Sequence, residues 1–352
     1  MLEVLDVGFR PDDRIGNYRV VCELGPTGSG LLIQARHLVL PRRAMIKVVR
    51  ADFAEVHPYV IQTLREACIL EAMAHPGVPT VYESGLLRDR RPWFAFELIV
   101  GPTLEELLAE GPLSVIEVAA LLCDVADILA YVHARGVIHR GLRPERIVVT
   151  GDRRYPLCIP DWSEAVAHDA TAGRAARGAN AAASDDYVAP ELAPQAPGVS
   201  QLIDDRVDMF SLGVIGYRAL TGVLPFAGVA ERGPCVPVHE RRRDAPRELA
   251  TIIDALLAFD RFDRPSASDV RGELEWLFGA LPELQQSAAR SPPPARGATE
   301  LSCDDLAGPG DGDARGLHAP RLRRPRWTPE VHRHDAGDTV DAVVPEDHFI
   351  LK

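Results

Sequence analysis

The residues best equipped for chemistry in this chain lie in a short arginine-rich run, residues 139–147. Arg143 and Arg146 stay protonated, and guanidinium groups pair well with phosphate oxygens. A guanidinium cannot ligate a metal ion, and Gly141 in the same run has no group that can accept a proton. The run can therefore neutralise an anion, but at positions 141 and 146 it offers neither a base nor a metal ligand.

A lysine and a glutamate form the second set of chemically capable residues. Lys47 lies in the apolar stretch Ala44–Val49, and Glu66 follows 19 positions later on a stretch with helical periodicity. A lysine on a strand is usually solvated, but apolar neighbours and a helix glutamate at this distance favour an ion pair. Lys47 would add to the positive field of Arg143 and Arg146.

The run His139–Ile147 resembles the catalytic loop H-R-D-L-x-x-x-x-N of protein kinases. In that family the aspartate accepts the proton of the substrate hydroxyl, and the asparagine holds a magnesium ion. Gly141 stands in place of the aspartate and Arg146 in place of the asparagine. The resemblance implies a kinase frame in which no catalytic residue of this loop is intact. The loop residues that remain are His139, Arg140, Arg143 and Arg146.

The hairpin Leu24–Leu32 resembles the kinase loop G-x-G-x-x-G-x-V. Glycines in that loop let backbone N–H groups approach phosphate oxygens. Thr27 takes the place of the middle glycine, although another glycine follows it directly. The resemblance assigns nucleotide binding to Gly25, Gly28, Gly30 and, on the roof of the site, Leu32.

The run Ala44–Lys47 resembles the kinase motif V-A-I-K. By this resemblance Lys47 would pair with the α- and β-phosphates of ATP and with Glu66. Met45 replaces a small alanine that lies against the adenine ring, so Met45 and Leu32 together crowd the adenine slot. The remaining nucleotide-binding residues implied by the resemblance are Glu97, Ile99, Val148 and Asp161.

The run Ile159–Ser163 occupies the position of the kinase motif D-F-G. Asp161 would be the main magnesium ligand, and the motif's aromatic residue is tryptophan here. Ser163 replaces the glycine and loses its free choice of φ. Glu145 and Asp152 are the nearest carboxylates that could substitute for a missing metal ligand, although both have simpler roles in turns.

Three further motifs belong to the scaffold of the kinase fold. Ser184–Glu191 resembles the end of an activation loop, and its glutamate requires an arginine, for which Arg264 is suitably placed. Asp208–Gly213 resembles the D-x-x-S-L-G helix, whose aspartate holds the catalytic-loop backbone, and Leu220–Phe226 also matches. Over about residues 17–280 the chain is therefore similar to bacterial eukaryote-like (Hanks-type) Ser/Thr protein kinases. Small-molecule phosphotransferases share the lobe plan but lack these signatures.

The elements that must position these motifs change in type along the chain. Strands are predicted at Tyr18–Leu24, Leu31–Arg36, Ala44–Val49, Thr80–Leu86 and Trp93–Leu98. Between them, one predicted helix carries Val60, Ile61, Leu64, Cys68 and Met73 on a shared face. Helices are then predicted at Leu104–Leu108, Val115–His133, Arg206–Leu220, Pro246–Phe259 and Ala267–Leu277. A β-rich lobe followed by a helical lobe is an α+β arrangement, here a protein-kinase-like bilobal fold.

The domain organisation follows from these elements and from composition. We expect an N-terminal extension at 1–16 and a kinase-like domain at 17–284, with lobes of about 17–98 and 99–284. The tail, 285–352, is rich in proline and has few apolar residues, so we expect it to be disordered. Its last part, 341–351, is more apolar and could dock on a partner or on the domain, but a frayed terminus is the simpler interpretation.

The composition restricts the class of protein. The 352 residues are 46% hydrophobic and 26% charged, and the net charge of −12 argues against nucleic-acid binding through a basic surface. Six cysteines without a Cys-x-x-Cys pair suggest no zinc site. The sequence shows no signal peptide and no membrane-spanning apolar run. We expect a cytoplasmic protein with no nucleic-acid partner and no membrane segment.

These observations leave two functions open. The first is a pseudokinase that acts as a regulatory or scaffold module through unidentified protein partners, with weak or absent ATP binding and doubtful use of Mg²⁺. The alternative is a weakly active Ser/Thr protein kinase that transfers the γ-phosphate of ATP to protein. Thr171 is the only hydroxyl residue between Ser163 and Ser184. We expect that this loop is not a phosphorylation switch.

Overall fold

A six-stranded antiparallel sheet forms the N-terminal lobe. The computed structural model describes residues 8–27, 30–51, 57–151, 153, 155–167, 185–192, 203–226 and 235–280. The strands run in the order β1-β2-β3-β4-β6-β5, and one helix, α1, lies between β4 and β5. Their bounds are β1 Arg14–Ile15, β2 Tyr18–Thr27, β3 Gly30–His37, β4 Arg43–Val49, α1 His57–Glu71, β5 Val81–Leu86 and β6 Pro92–Glu97. The sheet thus begins at Arg14 and includes the five predicted strands with ends shifted by up to three residues.

The two faces of this sheet bury different residues because side chains alternate along a strand. Ile33 and Ile46 belong to a closed apolar cluster on one face. Leu32 and Met45 are half-buried and pack against the main core on the other face. Leu32 is paired with Lys47 across β3 and β4. The lysine therefore lies on the face that looks toward the rest of the protein.

Helix α1 does not bury the face that its apolar residues predict. Ile61 and Leu64 are 52% and 46% exposed, and Cys68 is exposed as well. The buried positions on this helix include Glu66 and Leu70, at 3% and 1% exposure. The predicted face was wrong because the rotation of the helix places Glu66 inward, against the buried lysine of β4.

The C-terminal part is helical, as predicted. Its elements are α2 Leu104–Ala109, α3 Val115–His133, α4 Arg206–Thr221, α5 Val238–Arg241, α6 Arg247–Leu256 and α7 Ala267–Ala280. Helix α3 begins at a capping box in which Ser114 and Glu117 satisfy each other's backbone N–H groups. Helix α4 ends at Gly222, whose φ of 78° needs a residue without a side chain. Nearly every residue of α4 is buried, so it is the centre of this lobe.

The helix predicted over Pro246–Phe259 is shorter than expected. Helix α6 ends at Leu256, where the Leu257 N–H bonds to carbonyls of the preceding turn. A separate 3₁₀ turn, Arg261–Asp263, then begins at Asp260, whose side chain accepts a hydrogen bond from the Phe262 N–H. The α+β arrangement as a whole is confirmed.

Short strands and turns hold the loops between the two parts. The strands are β7 Val137–Ile138, β8 Val148–Val149, β9 Leu157–Cys158 and β10 Val166–Ala167, and 3₁₀ turns occur at Pro144–Arg146, Asp185–Tyr187 and Pro190–Leu192. The strands pair as β10 with β7 and as β8 with β9, both antiparallel. The arginine-rich run therefore lies between β7 and β8, with a strand pair on each side. Gly28, Asp152, Thr171, Ser184 and the predicted tail lie outside the described residues.

Glu191 and Arg264 form the ion pair that their motifs predict. The guanidinium of Arg264 is 1% exposed, and its two terminal nitrogens lie 2.6 and 3.0 Å from the two carboxylate oxygens of Glu191. It also donates to the backbone carbonyls of Ala258, Phe259 and Arg206. Because every donor has an acceptor, this buried charge is compensated.

Candidate functional site

A buried ion pair joins β4 to helix α1. The Nζ atom of Lys47 lies 2.7 Å from Oε2 of Glu66, and both side chains are at most 5% exposed. The other glutamate oxygen accepts a hydrogen bond from the Trp162 N–H at 3.3 Å. Burial alone would lower the pKa of Lys47, but the carboxylates of Glu66 and Asp161 raise it above its ordinary value. The predicted Lys47–Glu66 pair is confirmed as a contact.

Asp161 lies between two cationic side chains. Its Oδ1 is 3.8 Å from Lys47 Nζ, and its Oδ2 is 3.0 Å from Arg146 Nε. Burial opposes ionisation, but Arg146 and Lys47 hold the pKa of Asp161 well below its usual range. Asp161 is therefore a carboxylate at every physiological pH, and each of its oxygens faces a nitrogen cation.

The Arg146 guanidinium is held at three points. Besides Asp161, its Nη2 lies 2.8 Å from Oε1 of Glu164, and its Nη1 donates to the Gly141 carbonyl at 3.0 Å. Arg143 Nη2 reaches the same glutamate oxygen at 3.4 Å. Burial lowers the pKa of Arg146, but the carboxylates of Asp161 and Glu164 outweigh it and raise the pKa. The guanidinium is a fixed, permanent cation.

Glu164 is the residue that sequence reasoning missed. Glu145 and Asp152 were predicted as nearest carboxylates; Glu145 is exposed in the turn Pro144–Arg146, and Asp152 lies outside the described residues. The carboxylate that reaches Arg146 instead comes from the segment after Asp161. A usable signal did exist, because two arginines three positions apart need a counter-charge when they are half-buried.

A buried aspartate holds the arginine-rich loop from below. The carboxylate of Asp208, fully buried on α4, accepts hydrogen bonds from the backbone N–H groups of His139 and Arg140 at 2.8 and 2.7 Å. His133 Nε2 lies 2.8 Å from the same carboxylate. Arg140 adopts the left-handed conformation, with φ of 60°. The predicted role of Asp208 as a holder of the loop backbone is confirmed.

The glycine-rich hairpin lies close over Lys47. A Cβ on Gly30 would come within 2.8 Å of Lys47 Cε, so any side chain at this point of β3 would push against Lys47. Gly25 has a φ of 120° and open space around it. Leu32 and Met45 both stand on the face that carries Lys47, as the crowding hypothesis requires.

The other predicted nucleotide-binding residues lie along the strands that border this face. Glu97 ends β6 and is bound by Arg153, whose Nη2 lies 3.1 Å from its carboxylate. Ile99 is half-buried just beyond β6, and Val148 is buried at the start of β8. Glu97 already has a charged partner, which the sequence did not predict.

The residues present do not fit a magnesium ion. Magnesium takes oxygen ligands in a near-octahedral arrangement. Both oxygens of Asp161 face cations, and the guanidinium of Arg146 at the adjacent position would repel a divalent ion. Within the described ranges, no three His, Cys, Asp or Glu residues gather in a way that could hold a metal.

The family described as the protein kinase domain matches residues 18–276, which is most of the chain. The chain therefore belongs to the protein kinase domain family.

Two similar proteins are bacterial serine/threonine-protein kinases. The chain is 30% identical over 290 residues to the serine/threonine-protein kinase pkn3 of Myxococcus xanthus, covering 78% of this chain and 52% of the relative. It is 29% identical to the serine/threonine-protein kinase PknB of Mycolicibacterium smegmatis, covering 71% of this chain and 41% of the relative. The chain thus spans about half or less of the length of these relatives. The predicted resemblance to bacterial Ser/Thr kinases is confirmed.

A solved structure shares the fold. The kinase domain of PknI from Mycobacterium tuberculosis superposes with a TM-score of 0.59 at 23% identity, covering 78% of this chain and 100% of that chain. The predicted protein-kinase-like bilobal fold is confirmed. None of the helices in the described residues has the length and apolar character needed to cross a lipid bilayer.

Proposed function

We propose that this chain is a pseudokinase, a regulatory or scaffold module that works through protein contacts in the cytoplasm. The observation that carries the proposal is the Arg146–Asp161 contact at 3.0 Å beside Gly141. Phosphoryl transfer depends on positioning and on neutralisation of phosphate charge by metal ions. Here Asp161, the expected main metal ligand, is paired with Arg146, and Gly141 has no side chain that could accept a proton.

The loss of the catalytic base alone would not abolish phosphate transfer. A positioned general base contributes about 10²–10⁴-fold, so transfer without one can still be measurable. The loss of the metal site would add to it, because the metal ions bridge the β- and γ-phosphate oxygens and neutralise the charge that develops during transfer. The two losses together support an inactive protein.

Weak binding of ATP is part of the proposal. Lys47 and Arg146 provide positive charge suited to phosphate oxygens, since arginine pairs with phosphate without needing a metal ion. Met45 and Leu32 narrow the slot for the adenine ring. The carboxylate of Asp161 is engaged by Lys47 and Arg146 and is therefore not free to bind a metal ion. We therefore propose that ATP binds weakly or not at all and that magnesium contributes little.

A weakly active Ser/Thr kinase is the second candidate, and one observation favours it. The Lys47–Glu66 pair at 2.7 Å is the contact that an active kinase needs between its β-lobe and helix α1. The pair also has a structural explanation, because a buried lysine requires a counter-charge whether or not it binds a nucleotide. The ion pair is therefore compatible with both functions.

Phosphate transfer from radiolabelled ATP to the protein itself and to a generic substrate separates the two candidates. The matched control is Lys47→Ala, which removes the residue that both candidates place nearest the phosphates. We expect equal, background incorporation by the two proteins. Incorporation that clearly exceeds the Lys47→Ala background would reject the pseudokinase.

We also propose that phosphorylation of Thr171 does not switch this protein. Stoichiometric phospho-Thr171 in cells, found by mass spectrometry, would reject that proposal.

A further inference from the structure

We propose that Gly141, Arg146 and Glu164 form one unit that puts a guanidinium in the place of a divalent cation, with Glu164 as its positioning residue. This deepens the proposed function and relies on its placement of the metal position at Asp161. Steric and electrostatic contacts link Gly141 to Arg146, so these two departures from the family pattern are not independent losses.

Position 141 has no room for a side chain while Arg146 is in place. A Cβ added to Gly141 would lie 2.1 Å from Arg146 Nη1 and 3.1 Å from Glu164 Cδ. No real Cβ tolerates the shorter of these distances, so any other residue at 141 forces the guanidinium away. Gly141 is not only a lost base; its missing side chain is the space that Arg146 occupies.

The guanidinium of Arg146 is held by its contacts and cannot move aside freely. A flexible arginine could swing aside at little cost if its end were free, but this end is held by Asp161, Glu164 and the Gly141 carbonyl. The side chain of Arg146 is 14% exposed, so moving it would separate charges that are largely removed from water. A residue with a side chain at 141 therefore costs the protein these ion pairs.

The charges around the guanidinium of Arg146 resemble those around a bound cation. Asp161 and Glu164 are two carboxylates that face one guanidinium, with Lys47 near the other oxygen of Asp161 and Arg143 near the same oxygen of Glu164. Two carboxylates around a single positive centre form the kind of environment that a hard divalent cation also prefers. Without Arg146, the same two carboxylates would face a space that a divalent cation could enter.

A double-mutant cycle on thermal stability tests the steric link. We expect Gly141→Ala to lower the Tm by roughly 2–4 °C or more in the wild type, the shift that a loss of about 1 kcal/mol produces in a domain of this size. In the Arg146→Ala background the same change should have almost no effect. Gly151→Ala is the matched control, because a Cβ there meets nothing within 4 Å. Additive effects of Gly141→Ala and Arg146→Ala would overturn the link.

Manganese binding tests the cation replacement with a readout that stability alone would not move. We expect millimolar MnCl₂ without nucleotide to raise the Tm of Arg146→Ala and to leave the wild type unchanged. Adding Glu164→Gln to Arg146→Ala should abolish the rise, whereas adding Glu145→Gln, at the exposed neighbour, should preserve it. Stabilisation of the wild type, or of neither protein, would overturn the proposal. These measurements do not depend on phosphate transfer, so their failure is distinguishable from failure of the pseudokinase assignment.

Discussion

At the scale of single residues, the candidate site is defined by which charge faces Asp161. In this protein both of its oxygens face nitrogen cations, one from β4 and one from the arginine-rich loop. The low pKa of Asp161 is a consequence of this arrangement, because two cations stabilise the carboxylate more than burial disfavours it. In our proposal, the same contacts that keep Asp161 charged also keep a metal ion from it.

Reversion of both altered loop residues is the prediction at this scale. Gly141→Asp with Arg146→Asn should restore measurable but incomplete autophosphorylation, because the pair reintroduces a base and a metal ligand while Met45 and Ser163 remain. Each single reversion should stay at background. Transfer of radiolabelled phosphate measures the result, with Lys47→Ala added to the double variant as the control. Activity equal to that of an ordinary family kinase would mean that Met45 and Ser163 matter little.

At the scale of elements, a small polar cluster ties three parts of the fold together. Asp127 on α3 accepts hydrogen bonds from Arg271 on α7 at 2.9 Å and from the Tyr155 hydroxyl at 2.9 Å. His75, in the turn between α1 and β5, lies 3.2 Å from the same carboxylate. One side chain thus connects the long helix of the C-terminal lobe to the segment that leads back into the sheet.

The pH dependence of stability should reveal the Asp127 cluster. Burial raises the pKa of Asp127, but hydrogen bonds from His75, Arg271 and Tyr155 outweigh it and lower the pKa to about 2. Because the folded pKa lies below the unfolded one, the contribution is complete above about pH 4 and is lost as the pH falls toward 2. Asp127→Asn should therefore cost about 1–2 kcal/mol near neutral pH, allowing for partial exposure, and nearly nothing near pH 2.

Urea unfolding at several pH values measures this difference. Glu273→Gln, an exposed acid-to-amide change on the same helix as Arg271, is the control and should cost little at any pH. A cost for Asp127→Asn that is constant between pH 7 and 2 would contradict the assignment of the low pKa to these hydrogen bonds.

A second prediction at this scale concerns the buried Arg264. Arg264→Ala should lower the free energy of unfolding by about 3–5 kcal/mol, because it leaves Glu191 and several carbonyls without their donor in the interior. Arg243→Ala, at an exposed position, is the matched control and should change stability by less than about 0.5 kcal/mol. Denaturant unfolding compares the two, and equal effects would show that the Arg264 contacts contribute little.

The elements also show where sequence reasoning succeeds and where it fails. The pairs Lys47–Glu66 and Glu191–Arg264 could be predicted because each partner lies in a motif whose spacing fixes both ends. The inward face of α1 could not, because Ile61 and Leu64 have apolar side chains but the helix is rotated to satisfy a buried charge. Glu164 was missed for a similar reason. The two arginines signal that a counter-charge is needed, but which carboxylate supplies it depends on where Arg146, from another segment, ends.

At the scale of the whole molecule, a cluster of charged side chains lies where β4, α1 and the arginine-rich loop meet. The net charge of −12 is spread over the chain, and at the junction Lys47 and Arg146 are matched by the carboxylates of Glu66, Asp161 and Glu164. In our proposal these two cations can still pair with phosphate oxygens without a metal ion.

Nucleotide titration tests this distribution of charge. We expect ATP to bind weakly or not at all, and any affinity to change little between magnesium and a chelator, because Arg146 neutralises phosphate without a metal ion. Calorimetry or thermal shift measures the binding, with Lys47→Ala as the control for phosphate recognition. Tight binding that requires magnesium would contradict the prediction and favour the enzyme.

The missing side chain at Gly141 also restricts the evolutionary paths open to this sequence. While Arg146 stays in place, a mutation that restores an aspartate at 141 introduces a side chain where the guanidinium already lies, 2.1 Å from the new Cβ. A mutation that first removes Arg146 discards partly buried ion pairs and gains no base. Both single steps are expected to be unfavourable, so selection for transfer activity would need the two changes nearly together. The present pair of loop residues is therefore expected to be hard to revert one mutation at a time.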